Sequence, residues 1–156
     1  MIKVTISQLE RQAVELEGEE PAELLGVEPT SALAVVSPVR YRLICRLVSG
    51  NVLAEGNFSY RIAGCCGRCV ADVEREIGEP KAALFFDEIG GDELDLTDAF
   101  REEALLALPV NLLCDEDCRG LCPRCGCNLN EKRCDCVIEK PAEGPSAWSA
   151  LDDLNI

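Results

Sequence analysis

The chain contains no histidine among its 156 residues. This removes the commonest general base and the commonest nitrogen ligand for a metal. Acid–base work would fall to carboxylates, and any bound metal must be held by sulfur alone or by sulfur with oxygen. Aromatic residues make up only 4% of the chain, so the core is expected to be mainly Val, Leu, Ile and Ala. Positive charge is also scarce: 15 Lys and Arg stand against 29 Asp and Glu, a net charge of −14. That balance argues against generic binding to a phosphate backbone and favours basic protein partners. No apolar run approaches the roughly 18 residues a membrane span needs. The N-terminal stretch MIKVTISQLERQ lacks the basic region and apolar run of a signal peptide. The expected location is cytoplasmic, with no membrane partner. No P-loop, GxSxG or dinucleotide fingerprint is present, so no small-molecule substrate is indicated.

Cysteine is what the chain has in abundance. Seven of its 11 cysteines fall between Cys114 and Cys136, in CDEDCRGLCPRCGCNLNEKRCDC. A further knuckle, Cys66-Gly67-Arg68-Cys69, lies upstream. In a reducing compartment this usage points to metal binding more than to disulfides. In Cys122-Pro123-Arg124-Cys125-Gly126 two thiolates three residues apart can grip one ion, and the glycine permits the left-handed turn that aims backbone N–H groups at sulfur. Cys134 and Cys136 are the nearest pair to complete a site with Cys122 and Cys125. Cys114 and Cys118 then pair with Cys66 and Cys69, closing a loop of about fifty residues. Thiolate sites of this kind suit Zn2+, and two structural sites are expected. Iron–sulfur or redox chemistry is the weaker reading, since neither C-x-x-C opens a helix in a βαβ pattern. Cys45, Cys65 and Cys127 are left over, with Cys45 expected as a small core residue. Four cysteines leave no open coordination position, so no enzymatic role is expected.

Alternation of apolar residues predicts strands in residues 1–30 and a hairpin around Ser49-Gly50-Asn51-Val52. A turn centred on Gly50-Asn51 would pair Leu43 with Phe58, Tyr41 with Tyr60 and Leu47 with Ala54, and Arg46 with Glu55 on the other face. Residues 69–86 read as a second strand pair turning at Gly78-Glu79-Pro80-Lys81, and Asp87–Asp95 as a loop. The spacing of Leu96, Phe100, Ala104 and Ala107 predicts a helix over about 96–108, capped by Asp95 and ended by Pro109. The expected fold is α+β: an antiparallel sheet or meander with one main helix and a cysteine-rich zinc-binding segment (111–138). These form a single domain over 1–140, and 141–156 is a tail. Residues 31–70 carry Arg40, Arg42, Arg46, Arg61 and Arg68 against one acid, Glu55. They are candidates for limited RNA contact, although Tyr41 and Tyr60 point to the core side and leave no stacking platform beside them.

Residues 92–136, DELDLTDAFREEALLALPVNLLCDEDCRGLCPRCGCNLNEKRCDC, resemble the YceD family of large ribosomal RNA subunit accumulation proteins. The resemblance runs through Glu103, Leu106, Leu108, Pro109, Cys114, Asp117, Cys118, Gly120, Leu121, Cys122, Pro123, Cys125, Gly126, Asn128, Leu129, Asn130, Cys134 and Cys136, and upstream through Cys66, Arg68 and Cys69. It covers about a third of the chain. Cys127 stands where the family usually has a small residue, which implies that it is not a ligand. The tail departs from the pattern: Gly144-Pro145-Ser146-Ala147-Trp148 stands where the family tends to carry Asp-Pro-Arg, and it lacks the Asp and the Arg. The resemblance implies a role in 23S ribosomal RNA accumulation or processing and large-subunit assembly, with ribosomal proteins or a large-subunit precursor as partners. A zinc-ribbon interaction module in another pathway, such as transcription, is the alternative.

Overall fold

The computed structural model describes residues 1–87 and 90–136. The tail and the end of the expected domain, residues 137–140, lie outside the described residues. In chain order the elements are β1 (Lys3–Thr5), the single turn α1 (Ile6–Leu9), β2 (Val14–Glu20), a 3-10 turn (Ala22–Leu25), β3 (Ala34–Val35), β4 (Val39–Val48), β5 (Asn51–Cys65), β6 (Asp72–Phe86), β7 (Glu93–Asp95) and α2 (Thr97–Leu106). The structure is mostly antiparallel sheet with one main helix, followed by the cysteine-rich segment. β5 is the spine of the five-stranded sheet. β4 and β3 pair along one of its edges and β6 along the other, while β2 extends the sheet beyond β4. β1 and β7 form a separate two-stranded ribbon.

The hairpin forms, but its turn is Ser49-Gly50, with both residues at positive φ (52° and 85°), as a type I′ turn requires. Leu43 therefore faces Gly56 and Tyr41 faces Phe58, two residues away from the sequence expectation. A two-residue shift keeps every side chain on its face, because side chains alternate with period two. Val39, Leu43 and Cys45 thus still point inward with Val52, Ala54, Phe58, Tyr60 and Ile62, all buried.

Residues 72–86 form one long strand in place of the expected strand pair. The register changes from Gly56↔Ala82 to Phe58↔Glu79, so β6 holds one extra residue at Pro80-Lys81. This bulge accommodates a proline that cannot donate to the ladder, on a strand that among the described residues pairs only with β5. It also switches the inward positions from Ala82 and Leu84 to Ile77. The expected loop at Asp87–Asp95 ends in β7, which pairs with β1.

The Asp95 carboxylate accepts the Thr97 N–H at 2.9 Å at the start of α2. These Thr97 hydrogen bonds, side chain first, hold the Asp95 carboxyl below the usual carboxylate range. Leu96, Phe100 and Ala104 are fully buried against the sheet, and the Tyr60 hydroxyl donates to Ala104 O at 2.7 Å. The few aromatics concentrate there. The Phe100 ring lies 5.3 Å from Tyr41 and 5.6 Å, edge-on, from Phe58. Cys45 is part of this core, and burial pushes its thiol up to about 11, as befits an inert cysteine.

Candidate metal centres

Beyond α2, Pro109 stops the helix and Leu112 turns back into the core. Gly67 N–H donates to Leu112 O at 2.8 Å, and the Arg75 guanidinium donates to Leu113 O at 3.0 Å. The Arg68 guanidinium donates to Glu116 O (2.9 Å) and Cys118 O (3.0 Å). The cysteine-rich segment is thereby fastened to the ends of β5 and β6 through its backbone.

These contacts bring the sulfurs of Cys66, Cys69, Cys114 and Cys118 within 4.8 Å of one another. Cys66 and Cys118 Sγ are 3.8 Å apart, and Cys69 and Cys114 Sγ are 3.5 Å apart. A tetrahedral zinc with Zn–S bonds of about 2.3 Å sets sulfur–sulfur edges of about 3.8 Å, so the group is close to the right size. Three of the four thiols are buried, with only Cys114 exposed.

The second group is Cys122, Cys125, Cys127 and Cys134. Cys134 Sγ lies 3.4 Å from Cys122 Sγ and 3.5 Å from Cys125 Sγ. The structure differs from the sequence expectation here: Cys127 joins the four, and Cys136 lies outside it. The cause is local. Gly126 has φ 71°, and the Cys122 N–H donates to Cys127 O at 2.8 Å, so the chain doubles back and returns Cys127 to the group. The Cys136 N–H instead donates to Cys134 Sγ at 3.3 Å. Interaction with Cys125 pushes the Cys127 thiol up to about 12, and interaction with Cys134 does the same to Cys136. Cys125-Gly126-Cys127 carries the same C-x-C signal as Cys134-Asp135-Cys136, and it was the signal that could have included Cys127.

Two thiols in each group, Cys66 and Cys118 in the first and Cys122 and Cys125 in the second, are shifted towards thiolate. Backbone N–H groups, first that of Cys114 and then that of Cys69, lower Cys66 to about 6. The Cys127 N–H leads in lowering Cys125 to about 6. A lowered pKa favours the thiolate, the form that captures a metal.

The two knuckles are built alike. Arg68 N–H meets Cys66 Sγ and Arg124 N–H meets Cys122 Sγ, each at 3.4 Å. Val70 N–H donates to Cys66 O (2.9 Å) as Gly126 N–H does to Cys122 O (2.8 Å). Both turns need a left-handed residue, and the first uses Val70 at φ 60°. A β-branched residue is strained there by about 1–2 kcal/mol, and Val70 is exposed. Val70→Gly is therefore expected to stabilise the protein by about 1 kcal/mol after the greater unfolded-state freedom of glycine is deducted. A raised urea midpoint with unchanged slope would confirm this.

The candidate RNA-contact arginines are mostly engaged by carboxylates. Arg40 pairs with Glu19 (2.7 Å), Arg42 with Glu15, Arg46 with Glu55 (2.9 Å) and Arg61 with Glu74 (2.8 Å). The glutamates come largely from β2 and β6, strands that sequence reading did not place beside these arginines. Arg68 is committed to the carbonyls that hold the first thiolate group.

An antiparallel-sheet protein carrying two thiolate groups that could hold metal ions, consistent with zinc, is the class that fold and site define. The family model of the large ribosomal RNA subunit accumulation protein YceD matches residues 54–155, and the chain belongs to that family. It is 36% identical over 52 residues to the Arabidopsis thaliana protein named large ribosomal RNA subunit accumulation protein YCED homolog 1, chloroplastic, covering 33% of this chain and 16% of that protein. It is 31% identical over 97 residues to an uncharacterised protein of Mycobacterium tuberculosis, covering 53% of this chain and 47% of the relative. The chain thus spans less than half the length of either relative. No solved structure matches it. Among the described residues no helix is long and apolar enough to cross a membrane.

Proposed function

We propose that this protein is a non-enzymatic zinc-binding factor that supports 23S ribosomal RNA accumulation and assembly of the large ribosomal subunit. Family membership carries the reading. The chemistry of the thiolate groups supports the structural role of the metal: four sulfurs per ion leave no position for a substrate or water. Zinc bound there would supply a crosslink between the sheet and the segment beyond α2, and Cys66, Cys69, Cys114 and Cys118 would be the residues that make it. The second ion would be held by Cys122, Cys125 and Cys134 with Cys127. Thiolates of this kind persist where the compartment is reducing, such as the cytoplasm.

The partner is a basic protein of the large subunit or its precursor. A net charge of −14 attracts such a surface and repels bare RNA. The Arg–Glu pairing on the exposed sheet face limits any direct contact of Arg40, Arg42, Arg46 and Arg61 with ribosomal RNA, because each cation already has a counter-charge. Affinity purification of the tagged full chain from its own cells, reading bound RNA and protein together, tests the proposal. Recovery of large-subunit precursor with basic ribosomal proteins is expected, as is a fall in 23S ribosomal RNA when the protein is depleted. Neither precursor in the purification nor any change in 23S levels would overturn it.

A further inference from the structure

Asn130 sits on the loop between Cys127 and Cys134, inside the span that the second thiolate group closes, yet its side chain reaches the first group. Its Nδ2 donates to Cys118 Sγ at 3.3 Å. The same nitrogen donates to Asn128 Oδ1 at 2.9 Å, and its Oδ1 accepts the Arg119 N–H at 2.8 Å. Asn128 is itself fixed, accepting the Asn130 N–H at 3.0 Å and donating to Glu131 Oε1 at 2.8 Å. Leu129 N–H donates to Gly120 O at 2.9 Å. The Asn130 amide is thus held at both ends, with one N–H aimed at a sulfur of the other site.

The loop that presents it is held besides by the Leu121–Asn128 bridge and by the Glu131 and Lys132 N–H groups, each donating to Asn128 O at 3.2 Å. From Pro123 to Cys136 none of the residues is buried, so this segment contributes no hydrophobic core of its own. Its order depends on the short hydrogen bonds above and on whatever draws the four sulfurs together. Closing those sulfurs on an ion fixes the loop, and the fixed loop delivers the Asn130 N–H to Cys118. An N–H donated to a ligating thiolate orients the sulfur and stabilises its charge, and losing such an outer partner weakens metal affinity by about 10–100-fold.

We infer that Asn130 couples the two thiolate groups, so that metal at the Cys122 group tightens the hold of the Cys66 group on its own metal. This rests on the zinc reading above. By linkage the first metal must tighten the second by the same factor. Asn130 acts through Cys118 and is a positioning residue.

The test is chelator competition on the full-length chain, resolving the two affinities, for the parent, Asn130→Asp, Cys122→Ser and the double variant. Aspartate keeps the acceptor for the Arg119 N–H but cannot donate to sulfur when ionised, and Asn130→Ala separates the lost donor from the added charge. Both single changes at Asn130 should weaken the first site by about tenfold with two metal ions still bound. Cys122→Ser should weaken the first site similarly, and the double variant should show no further loss. With cobalt in place of zinc, loss of the N–H should move the sulfur-to-cobalt charge-transfer band to longer wavelength in Asn130→Ala. In the Cys122→Ser background the same change should leave the band where it is. Two metal ions bound with unchanged first-site affinity in the Asn130 variants, or losses that add in the double variant, would overturn the coupling alone. A full-length chain that takes up no metal would overturn the zinc reading and the coupling with it.

Discussion

Cys66→Ser is expected to release close to one metal equivalent per chain and to destabilise the protein by about 4 kcal/mol, whereas Cys122→Ser releases the other equivalent at a smaller cost. Cys66 is only 1% exposed and lies 3.8 Å from Cys118 Sγ, so serine leaves an incomplete buried site that solvent cannot fill in. The group also joins parts of the chain far apart in sequence, since Cys69 and Cys114 are separated by 45 positions. In the chain-entropy account a link closing a loop of that length is worth about 4 kcal/mol. The second group closes only the nine positions between Cys125 and Cys134, and the difference in loop closure alone favours the first by about 1 kcal/mol. Metal analysis of the purified variants, with urea unfolding in excess zinc and in chelator, would check both halves. The difference between variants should vanish in chelator, because linkage to metal is then removed. Retention of two equivalents by Cys66→Ser would show that Cys66 is not a ligand of either ion.

The first thiolate group was legible because its logic is combinatorial: two cysteine pairs without other partners, on segments that a sheet and a helix can bring together. The second was harder. Cys127 and Cys136 each lie two positions beyond a certain member of the cluster, Cys125 and Cys134, and spacing alone gives each the same claim. What separates them is the φ of Gly126 and the hydrogen bond from Cys122 N–H to Cys127 O, which are properties of the folded turn. The hairpin shows a similar limit. Sorting apolar from polar residues across two strands fixes the face of each side chain, but any even shift satisfies it equally, so Ser49-Gly50 could not be told from Gly50-Asn51. Pro80 was misread for a different reason. A proline next to glycine and lysine signals a turn in isolation, and only the pairing of both halves of β6 with β5 reveals a bulge. The basic stretch of residues 31–70 was real in sequence, but β2 and β6 bring Glu15, Glu19 and Glu74 to it, and such long-range neighbours leave no local trace.

Phe100→Ala should cost about 3–5 kcal/mol, the largest effect expected outside the cysteines. Phe100 is fully buried and is the point where α2 meets the sheet, with its ring against Tyr41 and edge-on to Phe58. Removing it opens a cavity that rigid sheet residues on one side and the helix backbone on the other cannot close. It also weakens the seat of Ala104, whose carbonyl takes the buried Tyr60 hydroxyl; leaving that hydroxyl unpaired would add to the loss. For a chain of this size about 2–4 °C of melting temperature accompanies each kcal/mol, so a fall of about ten degrees is expected. Leu106→Ala on the same helix is the control, because Leu106 is 80% exposed and surface changes stay within about 0.5 kcal/mol. The effect should reach the metal centres as well. α2 leads through Pro109 to Leu112, the residue that anchors the segment before Cys114. Loosening the helix therefore frees one half of the first thiolate group, and excess zinc should recover part of the lost stability in Phe100→Ala. Equal melting temperatures for the Phe100 and Leu106 variants would mean that α2 is not held to the sheet by the aromatic cluster.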